Sequence, residues 1–102
     1  MSAPPYLLKY THSSLAVIDE LASQAQHRAK TKKVAKALRL LEQSGPAYPG
    51  LHTHQYQSVK GPGGEPLWES YVENKTPSAW RIWWIYGPKP DTLTIITIGP
   101  HP

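Results

Sequence analysis

Arg81 is the residue of this sequence best placed to do chemistry. It stands inside the strand-like run 80–86, amid Trp80, Ile82, Trp83 and Trp84, and is the one basic residue inside the three runs 67–73, 80–86 and 92–98. A planar guanidinium grips two oxygens of a phosphate or carboxylate at once, so an arginine held by a regular backbone suits an oxyanion. Its purely structural use would be to stack on Trp83 and pair with Glu69. His101 stands three residues beyond the last strand-like run. An imidazole with an unperturbed pKa near 6.5 gives or takes a proton close to neutral pH, although a histidine there also fits an exposed tail. Glu69 is a carboxylate two positions from Tyr71 and offers a general base or an ion-pair partner for Arg81. His52 and His54 are spaced by two, but no carboxylate or third histidine is near them in sequence. Loop solvation or contact with an anion is expected of them rather than metal binding.

Three strand-like runs must position these groups: 67–73, 80–86 and 92–98. β-branched and aromatic residues crowd the runs, and Gly, Pro, Asn and Asp crowd the joints at 74–78 and 87–91. Connections this short suit antiparallel hairpins, so a three-stranded meander is predicted. Alternation puts Leu67, Glu69, Tyr71 and Glu73 on one face of the first strand. In the second, Trp80, Ile82, Trp84 and Tyr86 form the more apolar face and should pack on helices. Arg81, Trp83 and Ile85 then look the other way, beside Glu69 and Tyr71.

The N-terminal half supplies those helices. Tyr6, Leu7, Leu8, Lys9 and Tyr10 make a short apolar run that reads as an edge strand after Pro4 and Pro5. The residues 11–14 offer N-cap hydroxyls. Leu15, Ile18, Ala22 and Ala25, with Leu21, then predict one buried stripe, and Val34, Ala37, Leu38 and Leu41, with Leu40 at the margin, predict a second. Ser44, Gly45 and Pro46 should stop the second helix. A weakly alternating run, 54–60, predicts a further strand. The Gly61-Pro62-Gly63-Gly64 turn lacks the Gly-Lys-Ser/Thr ending and the following helix of a phosphate loop.

At 102 residues the chain is expected to form a single domain, 1–102. It contains no cysteine, which excludes disulfides and thiolate metal sites and fits a reducing compartment. No run of about eighteen apolar residues is present to span a bilayer, and the start of the chain lacks the pattern of a signal peptide, so a cytoplasmic protein with no membrane partner is expected. The net charge of +4 is unevenly spread. Six of the eleven Lys and Arg residues (Arg28, Lys30, Lys32, Lys33, Lys36 and Arg39) fall within a dozen positions, which serves either as a solvated helix face or as a nucleic-acid patch.

The segments KKVAKALRLLEQSGPAYPGLHTHQY, AWRIWWIYG and LTIITIGPHP, in this order, resemble the RelE/ParE toxin superfamily over nearly the whole chain. The resemblance implies an α+β fold in which an N-terminal strand and a helical hairpin pack on an antiparallel sheet. It further implies a toxin of a type II toxin-antitoxin pair, acting as an endoribonuclease that hydrolyses mRNA at the ribosome and inhibits translation, with no metal or other cofactor. Its partners would be a cognate antitoxin, mRNA and the ribosome. The alternative within the superfamily is a ParE-like gyrase inhibitor, or an inactive member that only binds an antitoxin. Carried over residue by residue, Arg81 matches the strand arginine that contacts the reacting phosphate, and His101 matches the C-terminal catalytic region. Glu69 becomes the candidate base for the 2′-hydroxyl. Lys60 resembles a basic residue at the end of the preceding strand, Tyr71 and Trp83 are aromatic platforms for splayed bases, and Lys32, Lys33 and Lys36 are candidate RNA contacts. Glu69 and Tyr71 stand where RelE has lysines, and Gln57 stands near the place of a YoeB-like glutamate.

Overall fold

Strand β1 (Leu7–Tyr10) leads directly into helix α1 (His12–Ala22), and Thr11 makes that turn. Its Oγ1 accepts from the Ser14 amide at 3.1 Å and donates to the Ile96 carbonyl at 2.6 Å, so one hydroxyl both caps the helix and ties it to the sheet. These observations come from a computed structural model that describes residues 3–102. A short 3-10 turn, Ala25–His27, joins α1 to α2 (Arg28–Gln43), giving the expected helical hairpin. The remaining strands are β2 (His54–Gln55), β3 (Trp68–Tyr71), β4 (Trp80–Tyr86) and β5 (Thr92–Pro100). They assemble with β1 into one sheet of order β1-β5-β4-β3-β2. The class is α+β, with the helices on one face of a mostly antiparallel sheet.

Two expectations need correction and a third gains a detail. The expected antiparallel sheet holds from β2 to β5, and β1 joins its edge parallel to β5, with Leu8 opposite Leu93. Parallel neighbours need a long crossover, and the helical hairpin with β2 to β4 supplies one. The buried stripe of α1 is also rotated. Leu15 is 45% exposed, and Ala22 and Ala25 are exposed, while Ser14 is fully buried and Val17, Ile18 and Leu21 face the core. Ser14 is tolerated there because its hydroxyl donates to the Thr11 carbonyl at 3.0 Å, so its burial leaves no bond unmade. Finally, the expected strand 54–60 is only His54–Gln55. After the Tyr56 amide donates to the Leu67 carbonyl, the chain leaves the ladder, and the Tyr56 ring meets Trp83 edge-on at 5.9 Å.

The second helix buries Val34, Ala37, Leu38 and Leu41, as its spacing predicts. Beyond its Ser44 cap stands Gly45, whose φ of +83° favours glycine and where an added Cβ would crowd the Tyr6 ring at 3.2 Å. Helices and sheet meet in a core that includes Tyr6, Leu41, Leu51, Ile82, Trp84, Leu93 and Ile95, with Trp80 and Tyr86 packed at its margin. The apolar face of β4 is therefore the predicted one. Inside it, Trp84 Nε1 donates to Ser70 Oγ at 2.9 Å, and Ser70 Oγ lies 2.8 Å from Thr53 Oγ1, which satisfies the one polar atom of the buried indole. Among the described residues no helix is long and apolar enough to cross a membrane.

Candidate active site

On the opposite face of the sheet, register does the positioning. Glu69 pairs with Trp83 and Tyr71 with Arg81 across β3 and β4, while His54 of β2 lies directly opposite Glu69. Side chains directly opposite on one face stand about 5 Å apart at Cβ, so these pairs are forced together. β5 runs two residues past its expected end and delivers His101, whose amide donates to the Ala79 carbonyl at 2.9 Å.

The result is a carboxylate between two imidazoles. Glu69 is 1% exposed; its Oε1 is 2.7 Å from His54 Nε2 and its Oε2 is 3.5 Å from His101 Nε2. The first is a close contact, and the second is too long to satisfy Oε2. The outer nitrogens are engaged too. His54 Nδ1 lies 2.8 Å from the His52 main-chain oxygen, and His101 Nδ1 lies 3.0 Å from that of Pro102. Such an oxygen only accepts, so each Nδ1 carries a hydrogen. Both Nε2 atoms face the carboxylate, which sets Glu69 between the two rings.

Arg81 is held beside this cluster, and its partners differ from those expected of a packing arginine. Its guanidinium stacks on Tyr71, with Cζ 3.6 Å from the ring centroid, rather than on Trp83. Nη1 donates to the Glu73 carbonyl and, at 3.1 Å, to the Trp80 carbonyl; Nε is buried without a partner. Glu73 is itself anchored. Its Oε1 accepts from Lys30 at 2.6 Å and from the Trp80 amide at 3.1 Å, and its Oε2 from Lys33 at 3.2 Å. Burial, the largest single influence on this carboxyl, raises its pKa. The bonds from Lys30, Trp80 and Lys33, with the Lys30 charge, outweigh burial and hold the group below its ordinary value.

Arg81, Glu69, His101 and Tyr71 thus share one face. Lys60 borders an adjoining groove of about 480 Å³ walled by Tyr56, Trp83 and Pro100. Lys33, Lys36 and Tyr71 line a second groove, of about 410 Å³. Lys32 is not part of this group; it lies beside Leu21 and Arg28 at the far side of α2. Trp83 is 7% exposed, and the Tyr71 ring is occupied by Arg81 and, at 4.9 Å, by the His52 ring. His54 is the member that sequence reasoning passed over. Its carboxylate partner lies fifteen positions downstream and becomes a neighbour only through the β2–β3 pairing. Among the described residues no group of three His, Cys, Asp or Glu side chains is arranged to hold a metal ion.

No protein-family model and no curated protein sequence matches the chain. Solved structures do. The YoeB dimer from Staphylococcus aureus superposes with a TM-score of 0.66 over 96% of this chain and 99% of that one, at 8% identity. A chain of the archaeal RelE–RelB complex from Pyrococcus horikoshii OT3 gives 0.63 over 94% of both chains at 14% identity. This is the RelE/YoeB toxin fold. The YoeB/ParE toxin from Agrobacterium tumefaciens has it as well, at 0.62 over 94% of this chain and 99% of that one, with 14% identity. Identities this low carry the RelE/YoeB fold and leave chemistry to be argued from the site.

Proposed function

We propose that the chain is the toxin of a type II toxin-antitoxin pair and a metal-independent endoribonuclease that cleaves mRNA at the ribosome. The observation that carries this reading is the buried Glu69 bracketed by His54 and His101 on the face that holds Arg81. Cleavage without a metal needs a base to take the 2′-hydroxyl proton, a cation for the charge that grows on the phosphate, and an acid for the departing 5′-oxygen. A carboxylate that is 1% exposed is shielded from a 2′-hydroxyl, so Glu69 acts through its histidines as their shared counter-charge, orienting both rings. The imidazoles do the proton transfer. His101, with the longer contact to Glu69, is the freer to exchange a proton with the substrate, and His54, similarly exposed, is its counterpart across the carboxylate. Arg81 supplies the positive charge. The 2′-oxygen attacks phosphorus, the bond to the 5′-oxygen breaks, and the products are a 2′,3′-cyclic phosphate end and a 5′-hydroxyl end.

An antitoxin is the natural partner of such a protein. The RelE–RelB and RelBE complexes are named as pairs, and a basic α2 face suits an acidic segment. A second reading, a protein of this fold that inhibits gyrase or only binds its antitoxin, is favoured by one observation. Arg81 is 8% exposed and its Nη1 is already held by two carbonyls. The experiment that separates the readings is purified protein added to translating ribosomes, with mRNA ends mapped. The ribonuclease reading expects new 5′ ends that fall by about a hundredfold or more with Arg81→Ala; intact mRNA together with gyrase inhibition would replace it.

A further inference from the structure

We propose that Glu73 is a positioning residue for Arg81, acting from the mouth of the β3–β4 hairpin; this rests on the ribonuclease reading for its catalytic consequence. Glu73 and Trp80 close the hairpin as a pair. The Glu73 amide donates to the Trp80 carbonyl at 3.1 Å, and the Trp80 amide donates back to the Glu73 carboxylate at 3.1 Å. The two carbonyls of this same pair are the acceptors that receive Arg81 Nη1. The guanidinium is therefore docked on the hairpin mouth and pressed against Tyr71, and its direction follows from where residues 73 and 80 are fixed.

What fixes them is the Glu73 side chain. Its carboxylate, 10% exposed, is gripped from α2 by Lys30 and Lys33, and Lys30 also sits 5.0 Å over the Trp80 ring. The helix thus holds the hairpin by a carboxylate that two cations and one amide share. A charged carboxylate accepts all three bonds, whereas an uncharged amide keeps one oxygen acceptor and loses the attraction to both lysines. The arrangement also gives two members of the basic run a task. Lys30 and Lys33 are bound to Glu73, and removing its charge releases them towards solvent and any phosphate nearby.

That release gives the proposal a signature that general destabilisation lacks. Glu73→Gln should lower kcat on ribosome-bound mRNA by about tenfold, through a misdirected Arg81, while KM stays level or falls because two lysines are freed. In an Arg81→Ala background the same substitution should cost less than about twofold, since residues acting as one unit are not additive. Equal losses in both backgrounds would overturn the proposal. A readout independent of cleavage is the exchange of the Arg81 Nε–H with solvent, followed by 15N NMR, with the buried Trp84 Nε1–H bonded to Ser70 as an internal reference for an intact fold. Glu73→Gln should speed exchange at Arg81 by about tenfold or more and leave Trp84 unchanged. Unchanged Arg81 exchange would overturn the positioning role. Absent mRNA cleavage by the wild type, with altered Arg81 exchange in the variant, would instead overturn the ribonuclease reading and leave Glu73's effect on Arg81 standing.

Discussion

Glu69 owes its place to register and its tolerance of burial to two histidines. A lone ionised carboxylate inside a protein costs several kcal/mol, and the two imidazoles are the polar groups that face it in the structure. Glu69→Gln should therefore reduce RNA cleavage by about a hundredfold or more through loss of both ring orientations, whereas His54→Asn and His101→Asn should each act through proton transfer and reshape the pH–rate profile. Single-turnover rates between about pH 5 and 9 would distinguish these effects. Glu73 makes a prediction about stability. Its folded pKa lies below the ordinary 4.5, so its contribution is fully present above that value and is lost as pH falls through the folded pKa. Urea unfolding followed from about pH 5 down to pH 3 should show the wild type losing stability more steeply than Glu73→Gln. Parallel slopes would contradict the shift. Ser70→Ala leaves the buried Trp84 N–H without its acceptor and should cost about 1–3 kcal/mol in the same assay.

Helix α1 shows how one hydrogen bond redirects an element. Its apolar spacing marks Leu15 for the core, yet the Thr11 cap and the satisfied Ser14 hydroxyl turn the helix so that Ser14 is buried and Leu15 faces solvent. Because Thr11 Oγ1 also bonds the Ile96 carbonyl, Thr11→Ala should cost about 1–2 kcal/mol, at the upper end for a cap, as read from thermal or chemical unfolding. A loss no larger than that of an exposed substitution on the same helix would show that the link to β5 carries nothing. Helix α2, with no polar residue competing for its buried line, was legible from spacing alone, and so was the meander with its apolar face. Two things were not. Nothing in the sequence distinguishes a two-residue β2 from a longer strand, because Tyr56 leaves the ladder for a ring contact with Trp83. The parallel β1–β5 pairing likewise depends on where a crossover lands, which is a property of the assembled layers.

At the scale of the whole molecule, the run of basic residues on α2 divides by direction. Lys30 and Lys33 reach Glu73, Lys36 lines the groove shared with Tyr71, and Lys32 sits with Arg28 on the other side. A single RNA strand crossing the Arg81 face should thus engage Lys36 and Lys60 and pass over Lys32. Lys36→Ala should weaken binding of a single-stranded oligonucleotide and flatten its salt dependence by about one phosphate contact, while Lys32→Ala should leave both nearly unchanged. Of the site, Arg81, Glu69 and Tyr71 could be placed on one face from alternation, and His101 at the end of the sheet from resemblance. His54 could not, since its meeting with Glu69 exists only once β2 has docked on β3. The central claim, that two imidazoles and one guanidinium gathered around a buried carboxylate cleave RNA, is tested most directly by mapping mRNA ends on translating ribosomes with the wild type, Arg81→Ala, His101→Ala and His54→Asn. New 5′-hydroxyl ends with the wild type, reduced by about a hundredfold or more in each variant, are the predicted result. Cleavage undiminished in Arg81→Ala and His101→Ala, or no cleavage by the wild type, would contradict it.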